Sequence, residues 1–138
     1  MSNDVVLAVI TALKADAGVS AIVSTRVYRK KLPANPTFPA ITVSMVDESP
    51  PDDTNTVGYV DMRVQCTSWT ETSGPEEALS KLIRKALHRR KNTLMTAGTG
   101  KVYVVKLLDT GSRPDVNTEI PLYMEHRDFM AHYDYKEV

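Results

Sequence analysis

Residues 60–87, VDMRVQCTSWTETSGPEEALSKLIRKAL, change from a strand pattern to a helix pattern. Apolar residues at 60, 62, 64 and 66 alternate with polar ones, which is typical of a strand with one buried face. Ser73 and Glu76 have the spacing of a capping box, and Pro75 suits the first helical turn because no amide partner is needed there. The helix that follows has one apolar stripe: Leu79, Leu82, Ile83, Ala86 and Leu87. The segment predicts a strand and then a helix that packs on a sheet.

Upstream, the alternation of residues 41–45, ITVSM, predicts another strand. The segment from Asp47 to Thr56 separates the two strands with ten residues, four carboxylates and no apolar anchor, so we expect a long acidic hairpin loop. Arg26 to Tyr28 has strand character but little length. The prolines that follow predict a shaped loop, because each lacks an amide donor: Pro33, Pro36 and Pro39.

The N-terminal residues predict a helix from Asp4 to Ala15, capped by Ser2 or Asn3 and ending near Gly18, with a short turn after it. Downstream, Val102 to Leu108 predicts a mostly buried strand and Tyr123 to Tyr135 a long final one. The loop Thr110 to Pro121 separates them. The order predicts one α+β domain over residues 1–138, with a mainly antiparallel sheet of four to five strands and two helices packed on one face.

The composition indicates an ordinary globular chain of 138 residues, 42% apolar and 25% charged. Seventeen basic and seventeen acidic side chains cancel, so no overall field favours nucleic acid or an anionic membrane. The single cysteine, Cys66, cannot form an intramolecular disulfide, which suits a reducing cytoplasm. No apolar stretch approaches the roughly 20 residues that span a bilayer, so we expect no membrane partner.

Residues 96–101, TAGTGK, are similar to the end of a phosphate-binding loop, in which glycines expose amides to phosphate. The spacing fails, because Met95 and Val102 stand where that motif needs a glycine and a hydroxyl. We interpret the segment as a turn that joins a helix to a strand.

The sequence contains no arrangement that predicts catalysis or a metal site. His126 and His132 can share one face of the last strand, but six strand residues separate them by about 20 Å. Cys66 continues an inward alternation, so we expect a buried apolar role for it. Ser73 is accounted for as a helix cap, and the paired carboxylates lie in a polar loop and not in a rigid cleft. We predict no enzyme and no cofactor.

Two basic clusters remain, at residues 29–31 and 88–91. The second stands at the expected C-terminus of the helix, where cations complement the helix dipole. This second cluster is either a solvated helix end or a functional surface, and both interpretations remain open. For the first cluster the same choice, between a solvated surface and a functional one, is equally open. Aromatic residues do not interleave with either cluster as a base-stacking surface requires.

The stretch from Leu13 to Val46, LKADAGVSAIVSTRVYRKKLPANPTFPAITVSMV, resembles the tail terminator, or tail completion, family of long-tailed bacteriophages and prophages. In that family a first helix leads through an alanine and glycine turn to an Arg-Val-Tyr strand and a proline-rich loop before the next strand. VQCTSW resembles the family's third strand, Glu76 to Leu87 its second helix, and EHRDFMAHY its closing strand. The resemblance covers nearly the whole chain and rests on order and spacing.

The resemblance implies a structural protein that forms a six-membered ring, caps the tail tube, ends its polymerisation and joins the head connector. The implied location is the neck end of the virion tail, after synthesis in the host cytoplasm. The implied partners are further copies of the chain, the tail tube protein and a head-completion protein.

We hypothesise that polar segments without core anchors are the partner interface: Asp47, Glu48, Asp52, Asp53, Arg113, Asp115 and Glu119. We also hypothesise that basic residues face a lumen through which DNA passes, where diffuse charge matters: Arg29, Lys30, Lys31, Arg89, Arg90 and Lys91.

Three alternatives remain at this point. A head-closure or neck protein of the same virion has a comparable size and set of partners. A small enzyme needs convergent polar residues, for which the alternation leaves little room on inward faces. A nucleic-acid-binding module acting through the two basic clusters would show salt-dependent affinity for duplex DNA.

Overall fold

The structure is a computed structural model that describes residues 2–49, 59–88, 90–97, 100–117 and 122–134. Three helices and six strands follow one another along these residues. They are α1 (Ser2–Ala15), α2 (Ala17–Val23), β1 (Val27–Arg29), β2 (Ala40–Ser49), β3 (Tyr59–Thr70), α3 (Pro75–Leu87), β4 (Arg90–Ala97), β5 (Gly100–Asn117) and β6 (Leu122–Asp134).

The strands form one sheet in the order β1-β2-β3-β6-β5-β4. Every neighbouring pair is antiparallel except β1 and β2, which are parallel because the proline-containing loop at residues 30–39 returns the chain to the same end of the sheet. The predicted α+β class and the mainly antiparallel sheet are confirmed. The sheet is nevertheless mixed, and β4 is a sixth strand that the sequence pattern did not predict.

The hydrophobic core lies between the helices and one face of the sheet. Helix α1 contacts strands at both edges of the sheet, and α3 packs over β3 and β6. The predicted inward alternation of β3 is confirmed at Met62, Val64 and Cys66, which are all fully buried. From α3, the predicted stripe buries Leu79, Ile83 and Leu87, with Leu82 and Ala86 partly buried beside them.

The N-terminal helical region divides into two helices at Asp16. This residue adopts an extended conformation, and its carboxylate accepts the Val19 amide at 3.0 Å, so it caps α2. The prediction of one helix that ends near Gly18, with only a turn after it, was therefore wrong in detail. A capping aspartate inside the apolar pattern marks the boundary.

The start and end of α3 also differ from the predicted capping box. Gly74 is the N-cap, and the Glu76 carboxylate accepts the Gly74 amide at 2.7 Å, while Ser73 makes no side-chain cap. The helix ends at Leu87, where its apolar stripe ends, and His88 is extended. Arg90 and Lys91 therefore begin β4 and do not lie in the last turn of the helix.

Two predicted loops are shorter than expected because strand pairing continues into their polar residues. Asp47 to Ser49 belong to β2 and pair with residues 61–63 of β3, and residues 50–58 lie outside the described part. Thr110 to Asn117 belong to β5, which pairs with β6 as far as Asn117, and residues 118–121 lie outside the described part. The glycine-containing segment after Ala97 connects two strands, so the predicted turn from helix to strand was wrong.

Within the described ranges, no single helix has both the length and the apolar composition of a membrane span. Residues 5–15 and 17–23 reach that composition only as a pair, and the two helices meet at 85°.

Candidate assembly surfaces

Two kinds of site, a metal centre and a reactive thiol, are not formed by the residues that the structure describes. Among those residues, no group of three or more histidine, cysteine or acidic side chains could hold a metal ion. Cys66 is buried as predicted, and burial, followed by the charge of Asp128, raises the pKa of its thiol far above the ordinary value. A thiol that stays protonated and inaccessible is a poor nucleophile.

The face of the sheet that points away from the helices carries rows of polar side chains. In one row, Asp128 of β6 accepts hydrogen bonds from Gln65 of β3 at 3.1 Å and from Arg113 of β5 at 3.2 Å. Near one end of the face, His132 pairs with Asp61. These contacts join three strands, so much of the polar character of this face is satisfied within the protomer.

A neighbouring row on the same face links Thr67, His126 and Asp115. The Thr67 hydroxyl lies 2.9 Å from His126 Nδ1, and Nε2 of the same ring lies 3.3 Å from the Asp115 carboxylate. The hydrogen bond from His126, followed by the Val116 amide, lowers the pKa of Asp115. Both His126 and His132 lie on this one face, as predicted.

A second polar cluster lies on the helix side, where α3 meets β5 and β6. Arg127 is almost fully buried and donates to Ser80 of α3, to Asp109 and to Ser112 of β5. Asp109 also accepts from Arg84 of α3 at 2.7 Å. The expectation that inward faces leave little room for polar residues was therefore wrong at this end of the core.

The acidic and polar residues of the predicted partner interface occupy two separate parts of the fold. Asp47 and Glu48 end β2 at one side of the sheet. Arg113 and Asp115 lie in β5, with 59% and 55% of their side chains exposed. Asp52, Asp53 and Glu119 lie outside the described residues.

The basic residues of the predicted lumen surface are also divided between two sheet edges. Arg29 ends β1, and Lys30 and Lys31 follow it with exposed side chains. Arg90 and Lys91 begin β4 at the opposite edge of the sheet. Arg89 lies outside the described residues. The structure thus places the two predicted basic clusters far apart in the strand order.

The sequence analysis did not predict the hydrogen-bonded polar rows on the sheet face away from the helices, although the strand patterns contained one indication of them. Within β3 and β6, polar residues alternate with the buried ones, and antiparallel pairing sets Gln65 opposite Asp128 and Thr67 opposite His126. These contacts depend on the pairing of β3 with β6, because the residues that form them are about 60 positions apart in sequence.

Comparisons with known proteins agree with this architecture. The family model described as "Tail completion protein gp17" matches residues 7–120. No curated protein sequence matches the chain. Among solved structures, the chain is similar to one described as "Virion of native gene transfer agent (GTA) particle", with a TM-score of 0.72 and 20% identity over 96% of each chain. At that identity the likeness shows a shared fold.

Proposed function

The chain belongs to the tail completion protein gp17 family, and from this premise we propose that it forms the terminator ring of a bacteriophage tail. As a family member it is a structural protein of the virion tail. In the proposal, six copies close into a ring on the end of the tail tube, stop further tube polymerisation and present the surface that the head connector joins. The family match over residues 7–120 is the observation that carries the proposal.

Features of the described protomer support an assembly role over catalysis. The two helices α1 and α3 cover one face of the sheet, and the other face is open and has its polar side chains largely paired with one another. Such a surface is rigid before any partner arrives, which lowers the entropy cost of association. We propose on these grounds that the protein is not an enzyme.

Two polar segments are the proposed contacts with the tube, with neighbouring copies or with the head side. The first is the acidic segment from Asp47 to Thr56, and the second runs from Arg113 to Glu119. Arg113 and Asp115 already take part in the polar rows, so a partner at this site meets side chains that the fold has oriented.

The basic residues are proposed to face DNA in the lumen of the ring. Arg29, Lys30 and Lys31 are exposed at the end of β1. Contact of this kind neutralises phosphate charge without reading sequence, so it would weaken steeply with salt. The proposed lumen contact also includes Arg89, Arg90 and Lys91.

Mass measurement tests the ring directly. The purified 15.3 kDa chain, alone and mixed with purified tail tubes, is expected to give a species of six copies. Negative-stain images should show six-fold rings, some of them on tube ends, and tube protein polymerising with the chain present should stop growing. Tubes that lengthen equally with and without it would refute the terminator role. Binding to the head connector without any effect on tubes would instead favour the head-closure alternative.

The docking role of the acidic segment has its own test. The double variant Asp52→Lys and Asp53→Lys is expected to reduce tail joining in a complementation assay, because reversed charge opposes the contact. Glu71→Lys with Glu77→Lys is the matched control, since both carboxylates are exposed near or on α3. Unchanged joining by the loop variant would exclude this contact.

A further inference from the structure

Glu125 of β6 is a buried carboxylate without a partner. Only 8% of the residue is exposed, and its carboxylate makes no hydrogen bond or ion pair with any residue that the structure describes. The Ser68 hydroxyl donates to the main-chain carbonyl of Glu125 and not to its side chain. Arg127, on the same strand and equally buried, is by contrast matched by a carboxylate and two hydroxyls. An ionised carboxylate buried alone costs folding free energy, so its presence requires an explanation.

The position of Glu125 is close to an outer edge of the sheet. On one side it pairs with Ser68 of β3, whose hydroxyl also donates to the Glu76 carbonyl in the first turn of α3 at 2.8 Å. On the other side it pairs with the exposed Pro114 of β5. At this level β5 is the outer strand, because β4 pairs with residues 100–107 only. A partner beyond β5 therefore has one strand between itself and the carboxylate.

The charges around Glu125 favour a cation as its partner. The first turn of α3 adds two more carboxylates, those of Glu76 and Glu77. The nearest basic side chain on the same strand, Arg127, is already bound by Asp109. A guanidinium offers two parallel donors to a carboxylate and is more weakly hydrated than an ammonium, so it suits a partly buried pair best. We therefore expect an arginine of another chain at this site.

Arg29, at the opposite edge of the sheet, has the complementary properties. It is the last residue of β1, the outer strand on that side. Its side chain is exposed and has no carboxylate partner within the described ranges. Two residues earlier, Val27 is buried in the core, so Arg29 projects on the helix side of the sheet, as Glu125 does. The Lys30 amide donates to the Val43 carbonyl at 2.8 Å, which fixes the end of β1.

Strand pairing also sets Arg29 and Glu125 at nearly the same level of the sheet. The row of paired residues that begins at Arg29 continues through Val43, Cys66, Arg127 and Ser112. Glu125 is two residues from this row, an offset of about 7 Å along the strands. The two unpaired charges thus share a face and a level but lie toward opposite edges. Contacts between such unlike patches of two copies are those that close by rotation into a ring.

We propose that Arg29 of one copy extends over the outer half of β5 of the next copy and pairs with Glu125 there. The inference rests on the proposed ring and assigns one contact between its subunits. Neighbouring strands lie about 4.8 Å apart, so a chain against the outer side of β5 is about 10 Å from the Glu125 backbone, which the two extended side chains span together. Pro114 has no amide for strand pairing, so side chains make this contact. Lys30 and Lys31 remain for the proposed lumen contact.

The variant Glu125→Gln, which keeps the side-chain shape and removes the charge, tests the proposal with two readouts. In the isolated protomer, urea denaturation should give an unchanged or higher free energy of unfolding, because no partner is lost. The ring association constant, measured by analytical ultracentrifugation, should nevertheless fall by about tenfold or more, because Arg29 loses its counter-charge. Glu71→Gln removes an exposed carboxylate and is the control, with neither quantity changed. A less stable Glu125→Gln protomer would show an internal role for this carboxylate and overturn the proposal.

A double-mutant cycle tests whether Arg29 is the partner. Arg29→Gln alone should weaken the ring by about the same factor as Glu125→Gln. The double variant should be no weaker than either single one, because each change removes the same contact. Lys14→Gln, which removes an exposed cation on α1, is the control and should assemble normally. Losses that add in the double variant would show that the two residues contact different groups, and the assigned pair would be wrong.

The outcomes separate this inference from the ring itself. A wild-type chain that forms no ring, alone or on tubes, would refute the proposed function and the contact with it. Wild-type rings whose association is unchanged by Glu125→Gln and by Arg29→Gln would overturn the contact and leave the ring standing.

Discussion

At the scale of single residues, Arg127 and Asp109 join α3 to the end of the sheet. A buried guanidinium is costly unless its charge and donors are matched, and Arg127 has a carboxylate and two hydroxyl partners. Only 8% of the Asp109 side chain is exposed, and it also binds the half-exposed Arg84. The cluster therefore fixes where α3 lies on β5 and β6.

Removing the charge of Asp109 should destabilise the fold. Asp109→Asn keeps the shape but leaves Arg127 without its counter-charge, at an expected cost of about 2–4 kcal/mol in the free energy of unfolding. Urea denaturation at pH 7 measures this. The control is Glu77→Gln, which removes the exposed pair with Lys81 and should cost less than about 1 kcal/mol. Equal effects of the two variants would contradict the assigned role.

The same carboxylate predicts a pH dependence. Burial alone would raise the pKa of Asp109, but the Gly111 amide and the Arg127 and Arg84 guanidiniums outweigh burial and hold it below the ordinary value. A lowered folded pKa gives stability that is present above the unfolded value, about 3.9, and is lost as pH falls through the folded one. The stability difference between wild type and Asp109→Asn should therefore be constant from pH 7 to about 5 and shrink below pH 4. A difference that persists unchanged at pH 2.5 would exclude this linkage.

At the scale of elements, β5 changes its pairing at a bulge between Asp109 and Gly111. Gly111 has a φ of 130°, a conformation that side chains of L-residues rarely adopt, and no atom lies within 4 Å of where its Cβ would be. The Asp109 carboxylate accepts the Gly111 amide at 3.0 Å. Before the bulge β5 pairs with both β4 and β6, and after it residues 111–117 pair with β6.

Substitution of Gly111 should be costly because of its backbone and not because of crowding. Gly111→Ala and Gly111→Ser should each lower the free energy of unfolding by about 1–3 kcal/mol, and by similar amounts. Thermal or urea unfolding compares them with Thr110→Ala, which removes one exposed hydroxyl contact and should have a smaller effect. A loss that grows with side-chain size would show that steric contact dominates.

The sequence patterns predicted the elements in which hydrophobic periodicity is strong. They failed for segments whose structure is determined by strand pairing. The α3 stripe and the alternation of β3 are local, so both elements were recognised. The strand Arg90–Ala97 has no clear alternation, and it forms because β5 pairs with it and α1 contacts it. For the same reason, polar residues such as Arg113 and Asp115 were expected in a loop, although pairing with β6 keeps them in a strand.

At the scale of the whole molecule, the candidate surfaces depend on distant parts of the chain. Strand pairing connects Glu48 of β2 to Arg90 of β4 across five strands of the sheet. Sequence alone identified the acidic and basic residues involved. It did not predict that both groups lie in strands at opposite sides of the sheet.

The distribution of the core predicts that the monomer unfolds as one unit. One cluster of buried residues includes side chains from α1, α2, α3 and five strands, β1, β2, β3, β5 and β6, so the described elements share one core. The single tryptophan, Trp69 of β3, donates to the Thr42 hydroxyl of β2 at 2.9 Å and reports on that pairing. Tryptophan fluorescence and far-ultraviolet circular dichroism should therefore give coincident urea transitions. The measurement requires protein concentrations too low for ring assembly, because association stabilises the folded state by mass action. A fluorescence transition that precedes the loss of helical signal would show that β2 and β3 separate first, and the single-domain prediction would then be wrong.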